Sequence, residues 1–330
     1  MGLRAIVAIH DTTLGRAIGG TRMRSYPTFE DAVEDALRLS SAMTAKATFA
    51  GMPCGGGKAV ICGDPLRDKT PELLLAFGRA VEDLGGRFFT GGDMGIDAGD
   101  LAVMGRATRH VGHTPATAGV DASDLTAIGV AAAMEVVAER LGKPLRSCTV
   151  AIQGLGEVGA RLAKKLAVKG VRLLVTDTVR GRLEAVVRAT GALAVEPDEI
   201  HSVACDVLSP NAAGGVLVPT SVADLRCAAI VGAANNPLAS AEVGLELHRR
   251  GVLYAPDFVV NAGGLLSVLF ETGLLDEAGI LARVQRIGAD LAALLERAER
   301  EGAAPFRVAE QVVAERLAAA RAARRATDRS

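Results

Sequence analysis

Three glycines with the spacing G-x-G-x-x-G, Gly154, Gly156 and Gly159, restrict the possible folds of this chain more than any other feature. They lie between two short apolar stretches, residues 149–153 and 171–176, and open a helical pattern that separates them. A strand, a glycine turn, a helix and a second strand in this order form a βαβ unit with parallel strands. Strand and helix patterns alternate through much of the chain, so the sequence predicts an α/β protein.

The glycine turn and the acid after the second strand indicate a dinucleotide site. The first glycine permits the tight turn, the second lets a pyrophosphate approach the backbone, and the third allows the helix to pack closely on the strand. Asp177 can accept both ribose hydroxyls and would repel a 2′-phosphate, so NAD is favoured over NADP, although Arg180 and Arg182 weaken this preference. The alternative is that the glycines serve packing alone. The predicted cofactor-binding residues of this segment are Gly154, Gly156, Glu157, Val158, Gly159 and Asp177.

The length of 330 residues is about twice that of a common single domain, so we expect two domains. In the first half, residues 3–10 and 17–23 read as two strands joined by a short turn, and Thr28 reads as the cap of a helix. Residues 53–57 read as a loop, and Ser123–Asp124 as the cap of a later helix. The strands of the second half are expected to form a parallel sheet.

Composition and charge exclude several classes of function. The 37 basic and 38 acidic residues nearly cancel, so there is no global basic field to attract nucleic acid or anionic lipid. No apolar run has the length of a membrane span, and residues 1–10 lack the segments of a secretory signal, so we expect a cytoplasmic protein without a membrane partner. The five cysteines include no C-x-x-C pair, so neither a disulfide framework nor a metal site is indicated.

Two lysines stand out because only seven of the 37 basic residues are lysines. Lys46 lies three residues after Met43 on one face of a predicted helix, and Lys58 follows three glycines. Unlike a guanidinium, an amine in a poorly solvated pocket beside another cation can lose its proton and act as a base, and a backbone without side chains suits close approach of a ligand. The alternative is that both are surface lysines. Asp93, after Gly91–Gly92 at a predicted strand end, is either a functional acid or a turn residue.

The combination of these motifs resembles the amino acid dehydrogenases that act on glutamate, leucine, phenylalanine and valine, and is most similar to the leucine, phenylalanine and valine branch. The matching segments are residues 8–15 (AIHDTTLG), 19–23 (GGTRM), 43–46 (MTAK), 51–60 (GMPCGGGKAV), 91–95 (GGDMG), 154–156 (GLG), 233–236 (AANN) and 255–264 (APDFVVNAGG). The resemblance implies a catalytic and oligomerisation domain over residues 1–124 and a Rossmann-type NAD-binding domain over residues 125–300, with a cleft between them. It also implies that residues 301–330 pack back on the first domain.

The resemblance further implies roles for individual residues. Lys58 would be the general base that activates water, Lys46 would hold the substrate carboxylate, and Asp93 would exchange a proton with the substrate amine. Backbone carbonyls of Gly19 and Gly20 would approach the substrate. The remaining cofactor residues implied by the resemblance are Thr126, Asn235, Asn236 and Asn261, of which Asn236 would also meet the substrate. The implied substrate pocket also includes Ile18, Met43, Gly91, Leu265 and Val268.

The implied reaction is the reversible oxidative deamination of an L-amino acid to a 2-oxo acid and ammonium. Glutamate-specific relatives carry a lysine and a serine where this chain has Ile18 and Val268, and an unpaired buried carboxylate is costly, so an apolar substrate is expected. Gly91 and Leu265 slightly favour phenylalanine over the branched aliphatic amino acids. Two departures from relatives are expected to matter. Relatives carry a further helix and strand before the point where this sequence begins, so either the start is truncated or the N-terminal packing and assembly differ. Asp124 stands where many relatives have proline.

The rival hypothesis from another class is a catalytically inactive NAD-binding regulatory protein on the same fold. Such a protein would have lost at least one of Lys46, Lys58 and Asp93, and all three are present. We also expect a homo-oligomer, because relatives assemble through the catalytic domain and an exposed sheet edge invites unwanted pairing.

Overall fold

The computed structural model describes residues 2–112, 120–212 and 214–327. The chain divides into unit 1, residues 1–119, 271–274 and 312–330, and unit 2, residues 120–270 and 275–311. Each unit combines helices with a β-sheet, so the predicted α/β class is confirmed. Among the described helices, none is both long and apolar enough to cross a membrane.

Unit 1 contains a four-stranded sheet among its described residues, in the order β1-β3-β2-β4. The strands are β1 (Ala5–Asp11), β2 (Ala17–Arg24), β3 (Gly55–Cys62) and β4 (Phe88–Gly92). The helices are α1 (Phe29–Phe49), α2 (Pro71–Glu82) and α3 (Ala98–Met104). β1 is antiparallel to β3, whereas β2 is parallel to both β3 and β4. The first two strands are therefore not neighbours in the sheet, because β3 enters between them after α1 has crossed its face.

The glycine run before Lys58 lies within β3 and not in a loop, so the loop prediction for residues 53–57 was wrong from Gly55 onward. Glycine is a poor strand former in isolation, but here the neighbouring chain segments require it. A Cβ on Gly56 would lie 2.1 Å from the backbone nitrogen of Thr44, and one on Gly57 would lie 2.8 Å from the ring of Phe88. The glycines thus allow α1 and β4 to approach β3 closely.

Helix α1 begins as the sequence predicts. Thr28 accepts a hydrogen bond from the backbone of Asp31, and the Asp31 side chain accepts one from the backbone of Thr28. Fully buried Ala32 and Ala36 pack with Val60 of β3, and their small side chains bring the helix close to the sheet. The other face of the sheet covers a larger core that includes Phe77, Phe88, Met104, Leu74 and Ile61.

The end of the last helix belongs to unit 1. The guanidinium of Arg316 donates hydrogen bonds to the carbonyls of Thr48 and Phe49 at the carboxyl end of α1. A cation at this end satisfies carbonyls that the helix leaves unpaired and offsets its dipole. Arg321 forms an ion pair with Asp11 at the end of β1, at 2.6 Å.

Unit 2 contains a six-stranded sheet among its described residues, in the order β10-β9-β8-β5-β6-β7, and every pairing is parallel. The strands are β5 (Thr149–Gln153), β6 (Arg172–Thr176), β7 (Leu193–Ala194), β8 (Val207–Pro210), β9 (Ala229–Ile230) and β10 (Leu253–Tyr254). The helices are α4 (Ala122–Arg140), α5 (Glu157–Val168), α6 (Arg180–Thr190), α7 (Pro219–Asp224), α8 (Ala241–Arg249), α9 (Asp257–Val260), α10 (Gly263–Glu271) and α11 (Glu277–Glu301). The last helix, α12 (Pro305–Thr327), begins in unit 2 and ends in unit 1. The predicted parallel sheet is confirmed.

The strand order reverses between β5 and β8, and ligands of such sheets bind outside the carboxyl ends of the strands at this point. Helix α4 begins differently from the prediction. Its cap is Asp121, which accepts hydrogen bonds from the backbone of Ser123 and Asp124. Asp124 is free to pair with Lys165 of α5 at 2.8 Å, so the cap predicted at Ser123–Asp124 was wrong.

Candidate active site

Lys58 and Asp93 form a close pair in unit 1. Lys58 lies within β3 and is only 7% exposed, and Asp93 is the first residue after β4. The Lys58 Nζ lies 2.6 Å from the Asp93 Oδ2. A lysine this deeply buried is not a surface cation, so its amine is held for a specific partner.

The protonation states of the pair follow from burial and charge. Burial lowers the pKa of Lys58 below its usual value, and this outweighs the opposing attraction of Asp93. Burial alone would raise the pKa of Asp93, but the charges of Lys58 and Arg22 and the hydrogen bond from Lys58 lower it. The pair therefore combines an amine that can shed its proton with a carboxylate that stays ionised.

Three further polar residues surround this pair, and the sequence analysis missed them. Arg22 donates from Nε to the Asp93 Oδ2 at 2.9 Å and from Nη1 to the Asp35 Oδ2 at 3.0 Å. The Tyr26 hydroxyl donates to the same Asp35 oxygen at 2.6 Å. Strand alternation is the signal that identifies Arg22, because its neighbours Thr21 and Met23 are apolar or small and fully buried.

The glycines of β2 are explained by strand packing. A Cβ on Gly19 would lie 1.7 Å from the Gly57 carbonyl oxygen, and one on Gly20 would lie 2.7 Å from the Gly92 carbonyl oxygen. The sequence interpretation attributed the scarcity of side chains around Lys58 to the approach of a ligand. In the structure, contacts between neighbouring strands already exclude side chains at these positions.

The other predicted residues of unit 1 lie on the same elements. Met43 and Lys46 are half-buried in the last two turns of α1, whose buried face packs on the sheet near Val60. Ile18 is 7% exposed within β2, and Gly91 lies within β4, two residues before Asp93. Helix α1 thus carries Lys46, and β3 and the end of β4 carry the paired Lys58 and Asp93.

In unit 2 the glycine turn connects β5 to α5. Gly154 has a φ of +93°, which favours glycine, and a Cβ on Gly159 would lie 2.0 Å from the Gly154 carbonyl oxygen. Gly156 is the cap of α5 and supplies no side-chain hydrogen bond, so the first backbone N–H groups, including those of Glu157 and Val158, are left for a ligand. These features fit the pyrophosphate of a dinucleotide.

Asp177 lies at the end of β6, beside the glycine turn. Its Oδ2 accepts a hydrogen bond from the backbone of Leu155 at 2.7 Å, and its Oδ1 accepts one from Val179 at 2.7 Å. A carboxylate has further acceptor capacity beyond these two bonds. Arg180 forms an ion pair with Glu184 at 2.8 Å, and this pairing makes the Arg180 guanidinium less available to a phosphate.

The predicted nicotinamide residues cluster in a second part of unit 2. The Asn261 Nδ2 donates to the Ala233 carbonyl at 3.1 Å and to the Asn235 Oδ1 at 3.0 Å. Asn261 is 5% exposed, and its Oδ1 has no hydrogen-bond partner among the described residues, so this oxygen is a candidate acceptor for a ligand donor. Asn236 has a φ of +49°, and its backbone N–H is held by Asp257, which the sequence analysis missed.

Thr126 of α4 lies beside the start of α10, the helix that carries the predicted pocket residues Leu265 and Val268. The Thr126 hydroxyl donates to the Ala122 carbonyl at 2.8 Å, and a Cβ on Gly264 would lie 2.9 Å from that hydroxyl oxygen. Leu265 and Val268 lie three residues apart on α10 and therefore share a helix face. Leu265 is half-buried and Val268 is 7% exposed.

Comparison with known proteins identifies close relatives. Residues 1–111 match the model of the Glu/Leu/Phe/Val dehydrogenase dimerisation domain, and residues 173–324 match that of the glutamate/leucine/phenylalanine/valine dehydrogenases. The chain is 40% identical to a leucine dehydrogenase of Bacillus subtilis, covering 96% of this chain and 88% of that protein. It is 41% identical to a phenylalanine dehydrogenase of Bacillus thermotolerans, covering 96% and 86%. The structure is similar to the L-tryptophan dehydrogenase of Nostoc punctiforme, with a TM-score of 0.83, 39% identity and coverage of 97% and 93%.

Proposed function

The chain belongs to the glutamate/leucine/phenylalanine/valine dehydrogenase family, and on this premise we propose that it catalyses the reversible oxidative deamination of an apolar L-amino acid with NAD. The observation that carries the proposal is the buried contact of 2.6 Å between Lys58 and Asp93. A general base must be able to give up its own proton, and burial lowers the pKa of Lys58 in this direction. An inactive protein on the same fold would have no need to bury this amine.

Three side chains of unit 1 bind the substrate and move its protons. Lys46 binds the substrate carboxylate as a cation. The bound nicotinamide supplies the acceptor for the hydride that leaves the substrate Cα. Asp93 takes a proton from the substrate ammonium before the hydride leaves. Lys58 then takes a proton from water as the water oxygen adds to the imine carbon, and Asp93 returns its proton to the nitrogen, which departs as ammonium. The amino acid, NAD⁺ and water thus become the 2-oxo acid, ammonium, NADH and a proton.

Asp177 supports the choice of NAD within the nicotinamide cofactors. Its carboxylate is fixed at the end of β6 by two backbone N–H groups, so its charge stays where the 2′-phosphate of NADP would lie. Arg180 is paired with Glu184, which leaves it less able to receive that phosphate. The metal-ligating residue types form no cluster among the described residues, and the proposed steps require none.

The substrate class follows from the side chains of the predicted pocket. Ile18 and Val268 are apolar and nearly fully buried, so neither offers a charge to a substrate carboxylate. Relatives with nearly equal identity are named leucine, phenylalanine and L-tryptophan dehydrogenases, so overall identity does not choose among them. Gly91 and Leu265 favour phenylalanine over leucine and valine. Leucine and valine should still react, more slowly, because one methylene in such a pocket changes the free energy by only about 1 to 3 kcal/mol.

We also propose that the protein is a homo-oligomer. The matched model of residues 1–111 is a dimerisation domain, and β1 is an edge strand whose partly buried side chains include Ile6, Val7 and Ile9. An apolar edge that is not covered invites pairing with another chain. Light scattering at micromolar concentration tests this, and a monomer would contradict it.

Absorbance of NADH tests the activity directly. The purified protein is incubated with NAD and, separately, with L-phenylalanine, L-leucine, L-valine and L-glutamate. We expect kcat/KM to be highest for an apolar amino acid, with phenylalanine first. Binding of NADH without turnover of any amino acid would support the inactive regulatory protein instead, and glutamate as the best substrate would overturn the pocket assignment.

A further inference from the structure

Arg22 shares a carboxylate oxygen with Lys58. The Asp93 Oδ2 lies 2.6 Å from the Lys58 Nζ and 2.9 Å from the Arg22 Nε. In the parallel pairing of β2 with β3, Arg22 lies opposite Val60, two residues from Lys58 on the same face of the sheet. Two cations thus compete for one oxygen in a poorly solvated place.

The position of Arg22 is fixed from its other side. Its Nη1 donates to Asp35 of α1 at 3.0 Å, and Asp35 also accepts hydrogen bonds from Tyr26 and Arg38. The Arg22 side chain is 14% exposed and that of Asp35 is 13% exposed. Burial of the Arg22 and Asp35 charges is unfavourable. Lys58 already forms an ion pair with Asp93, so holding Asp93 does not by itself require these two further charges.

Arg22 and Lys58 differ in how readily they release a proton. A guanidinium keeps its proton at every pH at which the protein is folded, whereas an amine can release its own. We propose that Arg22 is a positioning residue that holds Asp93 and, by its permanent charge next to that carboxylate, favours the neutral form of Lys58 required of the base. The inference rests on the proposed function, because it assigns Arg22 to the same site.

The charged and titratable groups around Lys58 agree with this direction. From β2 Arg22 opposes the charge on Lys58, and from the end of β4 Asp93 favours it. From α1 the more distant Asp35 favours it weakly, and Lys46 lies in the last turn of the same helix. From β1 Ala8 lies opposite Lys58, and His10 is engaged with the Thr44 hydroxyl at 2.9 Å. Arg22 is therefore the cation that offsets Asp93.

The test compares Arg22→Met, which removes the charge, with Arg22→Lys, which retains one. We expect Arg22→Met to move the acidic limb of kcat/KM against pH to higher pH by about one unit or more, because a nearby charge shifts a pKa by about that amount. Arg22→Lys keeps a positive charge but cannot contact Asp93 and Asp35 through separate nitrogens, so its limb should move less than that of Arg22→Met. Asp35→Asn should move the limb to lower pH, since it removes a negative charge that favours protonated Lys58. Arg79→Met, at an exposed arginine of α2, is the matched control and should change nothing.

A second measurement is independent of turnover. With only seven lysines in the chain, protein carrying ¹³C-lysine allows the Lys58 Cε resonance to be assigned by its loss in Lys58→Met and titrated by NMR. The midpoint should move as the kinetic limb does. If wild-type protein deaminates no amino acid, the proposed function fails while this titration still tests Arg22. An unchanged midpoint in folded Arg22→Met, or equal shifts in Arg22→Met and Arg22→Lys, would overturn the inference. If Arg22→Met does not fold, Arg22→Gln decides it, because glutamine keeps an N–H donor without the charge: a midpoint that does not rise would overturn the inference.

Discussion

Asp257 accepts a hydrogen bond from the backbone N–H of Asn236 across 2.8 Å. Asn236 is the one residue other than glycine that has a positive φ in the described segments. The second oxygen of Asp257 accepts a hydrogen bond from the Tyr254 hydroxyl at 3.0 Å, and Tyr254 is 4% exposed. A buried tyrosine thus fixes an aspartate, and the aspartate fixes the turn that carries the proposed nicotinamide contacts.

Replacement of Asp257 should therefore weaken cofactor binding through this turn. Asp257→Ala removes a hydrogen bond to a charged group, so we expect the dissociation constant of NADH to rise about tenfold or more. Fluorescence titration of NADH measures it. Tyr254→Phe is the comparison variant: it removes the hydrogen bond that fixes Asp257 but leaves the one to Asn236, so a smaller rise in the dissociation constant is expected. Equal losses of NADH affinity in the two variants would mean that the turn is not held as described.

The close approach of β2 and β3 gives a prediction for stability. Gly19→Ala would place a methyl group 1.7 Å from the Gly57 carbonyl oxygen, so the strands must separate. We expect the free energy of unfolding to fall by about 1 to 3 kcal/mol or more. Gly181→Ala is the control with the opposite sign: no atom lies near its added Cβ in α6, and loss of chain entropy in the unfolded state should stabilise the protein by up to about 1 kcal/mol. Denaturant unfolding of the two variants measures both effects, and a Gly19→Ala variant as stable as the wild type would refute the packing argument.

Local patterns predicted the parts of the fold that depend on local sequence. The unit β5–α5–β6 was predicted correctly because its glycine spacing and its strand and helix periods lie within thirty residues. The position of β3 between β1 and β2 depends on contacts between segments far apart in the chain, and no local signal encodes it. The same reason explains the glycines of β3, whose strand conformation is decided by Thr44 and Phe88.

The residues of the candidate site also fall into those that the local sequence indicated and those that it did not. Lys58 was recognisable because lysine is rare in this chain and three glycines precede it. Strand alternation places Arg22 on one face of β2, but as one of many arginines it was not recognisable as a site residue. Asp35 lies in an acidic helix segment that looks like a solvated surface, so it carried no signal of its own. Their contact becomes visible only when β2 and α1 are packed together.

The different roles proposed for Lys46 and Lys58 predict different kinetic defects.

 Lys58→Ala removes the base, so kcat should fall about 10²- to 10⁴-fold while the dissociation constant of NADH stays near that of the wild type. Lys46→Ala removes the cation that binds the substrate carboxylate, so the main change should be a higher KM for the amino acid. Lys164→Ala, at an exposed lysine of α5, serves as the control. Near-normal turnover by Lys58→Ala would show that another group is the base.

The role proposed for Asp177 leads to a prediction of how the preference for NAD over NADP can be changed. Asp177→Ser removes the charge that repels a 2′-phosphate and keeps an acceptor for the Leu155 backbone, which Asp177 holds at 2.7 Å. We expect kcat/KM for NAD to fall and that for NADP to rise, so that their ratio changes by about tenfold or more, because removing a repulsive charge is worth at least about 1.4 kcal/mol. Glu184→Gln should raise the NADP value further in the Asp177→Ser background, since it releases Arg180 from its ion pair at 2.8 Å. In wild-type protein the same Glu184→Gln change should have little effect, because Asp177 still excludes the phosphate. An unchanged ratio in Asp177→Ser would mean that the preference is set elsewhere than at the end of β6.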